Sequence, residues 1–298
     1  MKLYLAAMLY NDFREGSTVY HRLDDREKQA VREAPYVLDS YHYIGNERMA
    51  NRIRSTGRRI FLDSGAFSAH TQGIKVDIWQ YCDYIHRNSD LFEVVSVLDA
   101  IGDPDQTYRN QITMESAGLR PLPCFHYGEP EEVLEYYAST YEYITIGGMV
   151  PISSPQLKIW LDRIWGRYLT NDDGTPKIKV HGFGLTSVPL MARYPWYSVD
   201  SSSWVQLGGM GNIFLPQYGT IAVSEHAPQR KEAEKHIDNL PYEHQKVIVD
   251  YIEGIGFNMD RLRTMHLSRK CFNIVTYTDM MARQEENKTF TQLQPVLF

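Results

Sequence analysis

The sequence predicts an α/β fold, a (β/α)8 barrel of the TIM type with a C-terminal ribbon and helical decoration. Three observations carry that expectation. Short apolar, β-branched runs recur eight times within residues 1–200, with helical stretches between them. Alternation of this kind means βα units and hence a parallel sheet. Several runs are almost unbroken in apolar residues, Ile60-Phe61-Leu62 and Val94-Val95-Ser96-Val97-Leu98 among them, as in strands buried on both faces. A count of eight in a chain of 298 residues fits a closed barrel, whose usual size is about 250 residues. An open doubly wound sheet is the alternative, but its Gly-x-Gly-x-x-Gly turn after the first strand is missing.

The first strand is read at residues 3–8. Its short apolar stretch behind one lysine resembles a secretion signal, but Asn11, Asp12, Arg14 and Glu15 follow at once, which favours a buried strand. Helix 24–33 then leads to strand 36–40, and helix 47–56 to strand 59–63. Helix 76–88 precedes strand 94–99, helix 104–117 strand 122–126, and helix 130–139 strand 143–147. Helix 155–168 precedes strand 178–183, and helix 187–193 precedes strand 196–200. Pro104, Pro130 and Pro155 fall at helix starts, where the missing N–H would have no partner anyway. Beyond 200 the alternation stops. Residues 205–211 are Gly-rich, 213–224 read as an antiparallel ribbon, and 229–237, 242–254 and 259–286 as helices. Residues 201–298 are taken as closing and extra elements of one domain spanning 1–298.

Composition sets outer limits. With 43% hydrophobic and 23% charged residues, the chain is globular and not a disordered tail, a fibre or a disulfide-stapled miniprotein. No apolar run approaches the ~20 residues of a membrane-spanning helix. Three separated cysteines, Cys82, Cys124 and Cys271, suit a reducing cytoplasm (a host's, if the chain is viral) and no disulfide framework. A formal charge of -6 does not announce a nucleic-acid binder. Basic residues do cluster, as Arg52, Arg54, Arg58 and Arg59, and as Arg261, Arg263, Arg269 and Lys270. Such runs bind phosphate in some proteins and are solvated helix faces in more.

Barrel chemistry lies at the C-terminal ends of the strands, and these ends are polar: Asp39-Ser40, Asp63-Ser64-Gly65, Asp99, His126-Tyr127-Gly128, Gly147-Gly148, His181-Gly182-Phe183-Gly184 and Asp200-Ser201-Ser202. One strand-end aspartate is often only a helix N-cap, and Asp39 is read that way. Several converging on one mouth suggest a working site, because a buried carboxylate must be paired or used. Two carboxylates in one pocket suit chemistry at an anomeric carbon, one attacking and the other moving protons. The glycine pair allows close approach of a ligand to backbone, or serves as a tight turn. His126 and His181 are open as metal ligands, acid–base groups or hydrogen-bonded structural residues, the last being commonest. Cys124 reads as packed core. Neither His-Glu-x-x-His nor a P-loop occurs.

These segments resemble the tRNA-guanine transglycosylases. Phe61-Leu62-Asp63-Ser64-Gly65-Ala66-Phe67 is similar to their Asp-Ser-Gly-Gly-Phe/Tyr, and Val97-Leu98-Asp99 to their third-motif Asp. Cys124-Phe125-His126-Tyr127-Gly128 stands where they have Val-Gln-Gly-Gly, and Ile144-Thr145-Ile146-Gly147-Gly148-Met149 resembles Ile-Gly-Gly-Leu. Gly182-Phe183-Gly184-Leu185-Thr186 and Tyr197-Ser198-Val199-Asp200 resemble Gly-Val-Gly-x-Pro and the segment that ends in the family's Phe-Asp. The islands keep the family's order across residues 60–200. The resemblance implies a base exchanger on a (β/α)8 barrel, with Asp200 as nucleophile on the sugar C1′ and Asp63 as general acid/base. It also implies that Asp99 binds the purine N1/N2 edge, His126 replaces a Gln at the carbonyl, and Gly147, Gly148 and Met149 contact the base through backbone. Ser64 lies beside Asp63 in the base pocket, and Phe67 is placed to stack on the base.

The departures shape the expectation further. The family's structural zinc is held by Cys-x-Cys-x-x-Cys and a downstream His, whereas only Cys271 follows Asp200 here. A substitute set from His226, His236, His244, His266 and Cys271 is conceivable, solvated helix histidines being the commoner meaning. No cofactor is expected. The pattern is closer to the divergent viral and bacterial branch that inserts 7-deazaguanines into DNA. The expected function is therefore DNA-guanine transglycosylation, exchanging guanine for a base such as preQ0. Phosphate contacts are sought in Arg52, Arg54, Arg58, Arg59, Arg261, Arg263 and Lys270. The alternatives are a tRNA-guanine transglycosylase, a non-catalytic barrel subunit of such an enzyme and, least supported, a sugar glycosidase. DNA or tRNA and the free bases are the expected partners, a partner protein or second copy is left open, and no membrane is expected.

Overall fold

A computed structural model of the chain describes residues 1–185 and 187–286; Thr186 of the Gly-Phe-Gly-Leu-Thr segment lies outside them. The chain divides into two compact units, one containing Met1–Tyr10 and Tyr36–Ser201, the other Asn11–Pro35 and Ser202–Arg283. No helix among the described residues is long and apolar enough to cross a membrane.

The first unit is built on eight strands: β1 (Lys2–Ala6), β2 (Val37–Ser40), β3 (Ile60–Asp63), β4 (Phe92–Val95), β5 (Cys124–His126), β6 (Tyr143–Gly147), β7 (Lys179–Gly182) and β8 (Ser198–Ser201). They form one sheet in the order β4-β3-β2-β1-β8-β7-β6-β5, every pairing parallel. Helices flank it, and those at Glu47–Arg54, Ile78–Arg87 and Pro104–Ser116 start where Asn46, Asp77 and Asp103 accept amide hydrogens of the first turn.

The sheet is strongly curled. Phe61 on β3 and His181 on β7 are four strands apart in that order, yet their ring centroids lie 4.7 Å apart. In a flat sheet four steps span about 19 Å. Tyr4 of β1 touches both rings, at 5.3 and 5.9 Å. Tyr4, Ala6, Leu38 and Phe61 form a buried cluster against which Val94, Leu122 and Phe183 pack. Beyond β4, Ser96 makes a parallel bridge with Leu122, which leads into β5. Around it the Val97 N–H donates to the Leu122 carbonyl and the Leu122 N–H to the Val95 carbonyl, both at 2.9 Å.

The fourth strand, expected over 94–99, starts earlier and leaves the ladder after Val95. Beyond the Ser96–Leu122 bridge its continuation is held from the next helix: Asn110 Nδ2 donates to the Leu98 carbonyl at 2.6 Å, and the Ala100 N–H to Thr107 Oγ1 at 2.9 Å.

The second unit contains helix Asp25–Glu33, closed at its start by a capping box of Asp24 and Glu27, and a hairpin of β9 (Asn212–Leu215) and β10 (Gly219–Ala222). The Gly-rich stretch at 205–211 is largely a helix, Ser203–Gly209. Gly208 is needed there because a Cβ would fall 2.9 Å from the Lys270 backbone nitrogen. The helix expected at 229–237 is instead two short 3-10 turns, Pro228–Lys231 and Ile237–Asn239. The chain between them is drawn out to pair with β10, where the Ala222 N–H donates to the Lys235 carbonyl. The helix expected at 259–286 breaks at Met265 into Met259–Thr264 and His266–Glu286. Buried Arg269 donates to the carbonyls of Leu262 and Arg263 across the break.

Candidate active site at the strand ends

Asp63 is the last residue of β3, Asp99 follows the continuation of β4, and Asp200 lies on β8. Asp63 turns its Oδ2 to the Gly65 N–H at 3.0 Å. Gly65 has φ +76°, and a Cβ on it would fall 2.2 Å from Ser40 Oγ, so only glycine closes this turn. Burial, and then the charges of Asp99 and Asp200, push the Asp63 carboxyl up to about 7. Asp63 thus senses Asp200, three strands away along the sheet, as the curl requires.

Asp39, expected as a helix cap, does other work. The helix Tyr41–Ile44 has no side-chain cap, and Asp39 accepts the N–H groups of Leu9 and Tyr10 at 2.9 and 3.2 Å. It closes the turn after β1, and burial raises its carboxyl to about 7 against those two amides.

Asp99 is held from two sides. Its Oδ1 accepts the hydroxyl hydrogen of buried Ser64 at 2.7 Å, and its Oδ2 lies 3.0 Å from His126 Nε2. The other ring nitrogen of His126 meets Glu129 Oε1 at 2.9 Å, and Glu129 Oε2 accepts the His126 backbone N–H at 2.9 Å. Cys124 Sγ sits 3.4 Å from Nε2. Burial works to depress the His126 pKa, but Cys124, Asp99 and Glu129 outweigh it and hold it well above its ordinary value. Burial raises the Cys124 thiol, so the two carboxylates supply the stabilising charge. Glu129 was invisible as a site residue in the sequence, where Gly128-Glu129-Pro130 reads as an ordinary helix start.

The glycine pair first makes room for this imidazole. A Cβ at Gly147 would fall 3.1 Å from His126 Cδ2, and one at Gly148, with φ +69°, 3.0 Å from the Tyr127 nitrogen. Met149 beside them is buried.

Asp200 is buried, and its Oδ1 accepts the Gly184 N–H at 2.8 Å. His181 Nε2 lies 3.3 Å from the same oxygen. Behind it, His181 Nδ1 is 2.7 Å from Ser198 Oγ, which is 2.6 Å from the Tyr143 hydroxyl. His181 and Ser198 are register partners on β7 and β8. Ser198 and Tyr143 escaped the sequence reading, because register is not written in a single strand.

Phe67 is 54% exposed on the short helix Ala66–Thr71 after β3. The basic residues sought as phosphate contacts fall in both units, Arg52, Arg54, Arg58 and Arg59 in the first and Arg261, Arg263 and Lys270 in the second. Arg58 and Arg59 precede β3, whose far end carries Asp63; Arg59 donates to the Phe92 carbonyl at the start of β4. Arg54 pairs with Asp90 at 2.9 Å, and Arg52 Nη1 lies 3.7 Å from Met49 Sδ. In the second unit Arg261 pairs with Glu27 and Asp24, and Arg263 with Asp238, while Lys270 lies 5.8 Å above the Phe13 ring. The weak metal candidates are not gathered. His226, His244 and His266 are exposed, buried His236 bonds the Ser224 carbonyl, and Cys271 is buried. Among the described residues, metal-ligating atoms converge instead at Asp99, Cys124 and His126.

No protein-family model matches the chain, and no curated protein matches it.

Proposed function

We propose that this protein is a DNA-guanine transglycosylase, exchanging guanine in DNA for a 7-deazaguanine such as preQ0 through a covalent aspartyl-glycosyl intermediate. The observation that carries this reading is the unequal pair of carboxyls: Asp63 sits near neutrality beside the charges of Asp99 and Asp200, while Asp200 is gripped on one oxygen by the Gly184 N–H. A carboxyl held near neutrality suits acid–base work, and a carboxylate oriented through one oxygen suits attack by the other.

In this mechanism Asp200 Oδ2 forms a bond to C1′ as the bond from C1′ to guanine N9 breaks. The protonated Asp63 gives its hydrogen to the departing base. The incoming 7-deazaguanine returns a proton from N9 to Asp63 as its N9 bonds C1′ and the ester to Asp200 breaks. Asp99 accepts the N1–H and N2–H groups of the base. Its neighbour His126, 3.0 Å away, sets an N–H donor next to a carboxylate, and a guanine edge presents an oxygen next to an N–H. The curled sheet and the Ser96–Leu122 bridge support a closed (β/α)8 barrel with this cluster at its mouth. Exposed Phe67 suits stacking on an extruded base. The missing zinc motif after Asp200 favours DNA over tRNA.

The test supplies the purified protein with preQ0 and, in parallel, duplex DNA, single-stranded DNA and tRNA, and weighs the nucleosides of each digest by mass spectrometry. Deazaguanosine in DNA alone, absent with Asp200→Ala, is the expected result. Incorporation in tRNA alone would move the activity to that polymer. No exchange in any of them would sink the reading.

A further inference from the structure

Cys124 and His126 stand two residues apart on β5, so their side chains share one face of the sheet. Asp99 reaches the same point from beyond β4. His126 Nε2 lies 3.0 Å from Asp99 Oδ2 and 3.4 Å from Cys124 Sγ, and the three atoms all lie within 4.8 Å of one another. A ring N–H points at one acceptor, but this nitrogen faces an oxygen and a sulfur together, as donors do around a common centre. The opposite nitrogen is fixed by Glu129, which also accepts the His126 backbone N–H. A carboxylate behind the imidazole is the usual way a metal-ligating histidine is oriented. Gly147 keeps the spot clear, since a Cβ there would come within 3.1 Å of His126 Cδ2 and 3.2 Å of Cys124 Sγ.

We propose that Asp99, Cys124 and His126 form a three-ligand site for a divalent cation of borderline softness, zinc by its donor set, with Glu129 orienting the imidazole. A fourth position is left for water or a ligand atom. Metal–sulfur and metal–nitrogen bonds replace the S–H and Nε2–H bonds, and those protons pass to solvent. The proposal goes beyond base exchange and meets it at two residues: Asp99 and His126 cannot serve a metal and a purine edge with the same atoms, so cation and base compete.

Chelator-treated protein is titrated with Co2+, followed by its thiolate-to-cobalt absorption band, and the cobalt is then displaced with Zn2+. One equivalent per chain is expected, with the band lost in Cys124→Ser and kept in the Cys82→Ser/Cys271→Ser double variant. Glu129→Gln should bind about 10–100-fold more weakly. Zn2+ should raise the melting temperature of the parent protein and not of Cys124→Ser, and saturating guanine should weaken Co2+ binding. Absence of a thiolate band in the parent protein, or its survival in Cys124→Ser, overturns the site. The cobalt signal needs no base exchange: a band without exchange counts against the transglycosylase reading alone, and exchange without a band against the metal site alone.

Discussion

Asp63 shows how one side chain ties chemistry to stability. Its carboxyl ordinarily titrates near 3.8 but is pushed up to about 7 in the fold, first by burial and then by Asp99 and Asp200. Between those values the folded chain keeps a proton that the unfolded chain has lost, so folding is favoured at the acid end of the window and stability declines as pH rises toward 7. Asp39, also raised to about 7 by burial, adds a decline of the same sign. In the proposed exchange, the carboxylate that takes a proton back from the incoming base is therefore the form the fold tolerates least. Asp63→Asn should flatten part of the decline and melt at a higher temperature than the parent at pH 8. The gain should be a few kcal/mol at most, because each shifted unit is worth about 1.4 kcal/mol. Melts at pH 5 and pH 8 check it, and equal pH dependence in the two proteins would show that Asp63 is not the strained group. The same variant can neither protonate the departing guanine nor take the incoming base's N9 proton, so capture by Asp200 and turnover should both slow, turnover by about 10²–10⁴-fold, the usual worth of a positioned acid or base.

Strands and the loops after them determine how these side chains are supported. Asp63, Asp99 and Asp200 could be picked from the sequence because each closes an apolar run, and a polar residue at the end of a buried strand is conspicuous. What supports them could not, because it depends on register. Ser198 stands opposite His181 on the neighbouring strand, so Tyr143, Ser198 and His181 line up behind Asp200 at 2.6, 2.7 and 3.3 Å. If Tyr143 donates to Ser198 and Ser198 to His181 Nδ1, the imidazole hydrogen sits on Nε2, facing the carboxylate. Ser198→Ala removes the donor to Nδ1 and frees the ring to turn its lone pair on Asp200. Capture should slow by about 10–100-fold, the cost of an unsatisfied buried group, with binding of free base unchanged. An unaltered capture rate would reduce the chain to packing. The glycine pair at the end of β6 was legible as special, but its part in packing was not: His126 and Cys124 fill the space where a side chain on Gly147 would go. Gly147→Ala should therefore destabilise the protein by about 1–3 kcal/mol through overpacking, measurable by denaturant titration. A neutral result would mean β5 shifts aside freely.

For the molecule as a whole, the placement of charge decides more than its sum. The net charge is -6, and Arg58 and Arg59 of the first basic cluster lie at the start of β3, whose far end carries Asp63. Spacing along the chain misleads here because a strand separates its two neighbours in space: Arg58 and Arg59 are close to Asp63 in number, and β3 carries them to opposite ends. Arg54 is further committed to Asp90 and Asn88, and Arg59 to the Phe92 carbonyl. In the second unit Arg261 is held by Glu27 and Asp24, so its loss should cost stability and not affinity for a polymer. The grouping of residues 11–35 with 202–283 in that unit was equally hidden, since pairings such as Arg261 with Glu27 join segments more than two hundred residues apart. A nucleic acid that presents a base to Asp200 must run along the ends of the strands, away from the Arg54 and Arg59 side. The double variant Arg54→Ala/Arg59→Ala should then bind DNA with the salt dependence of the parent protein. Every phosphate that a removed arginine had neutralised would lower the log–log slope by about 0.9 for duplex and about 0.7 for a single strand, so affinities at several salt concentrations resolve the matter. A fall near the value for two phosphates would draw the polymer's path across the strand starts, where no aspartate of this cluster could reach a base.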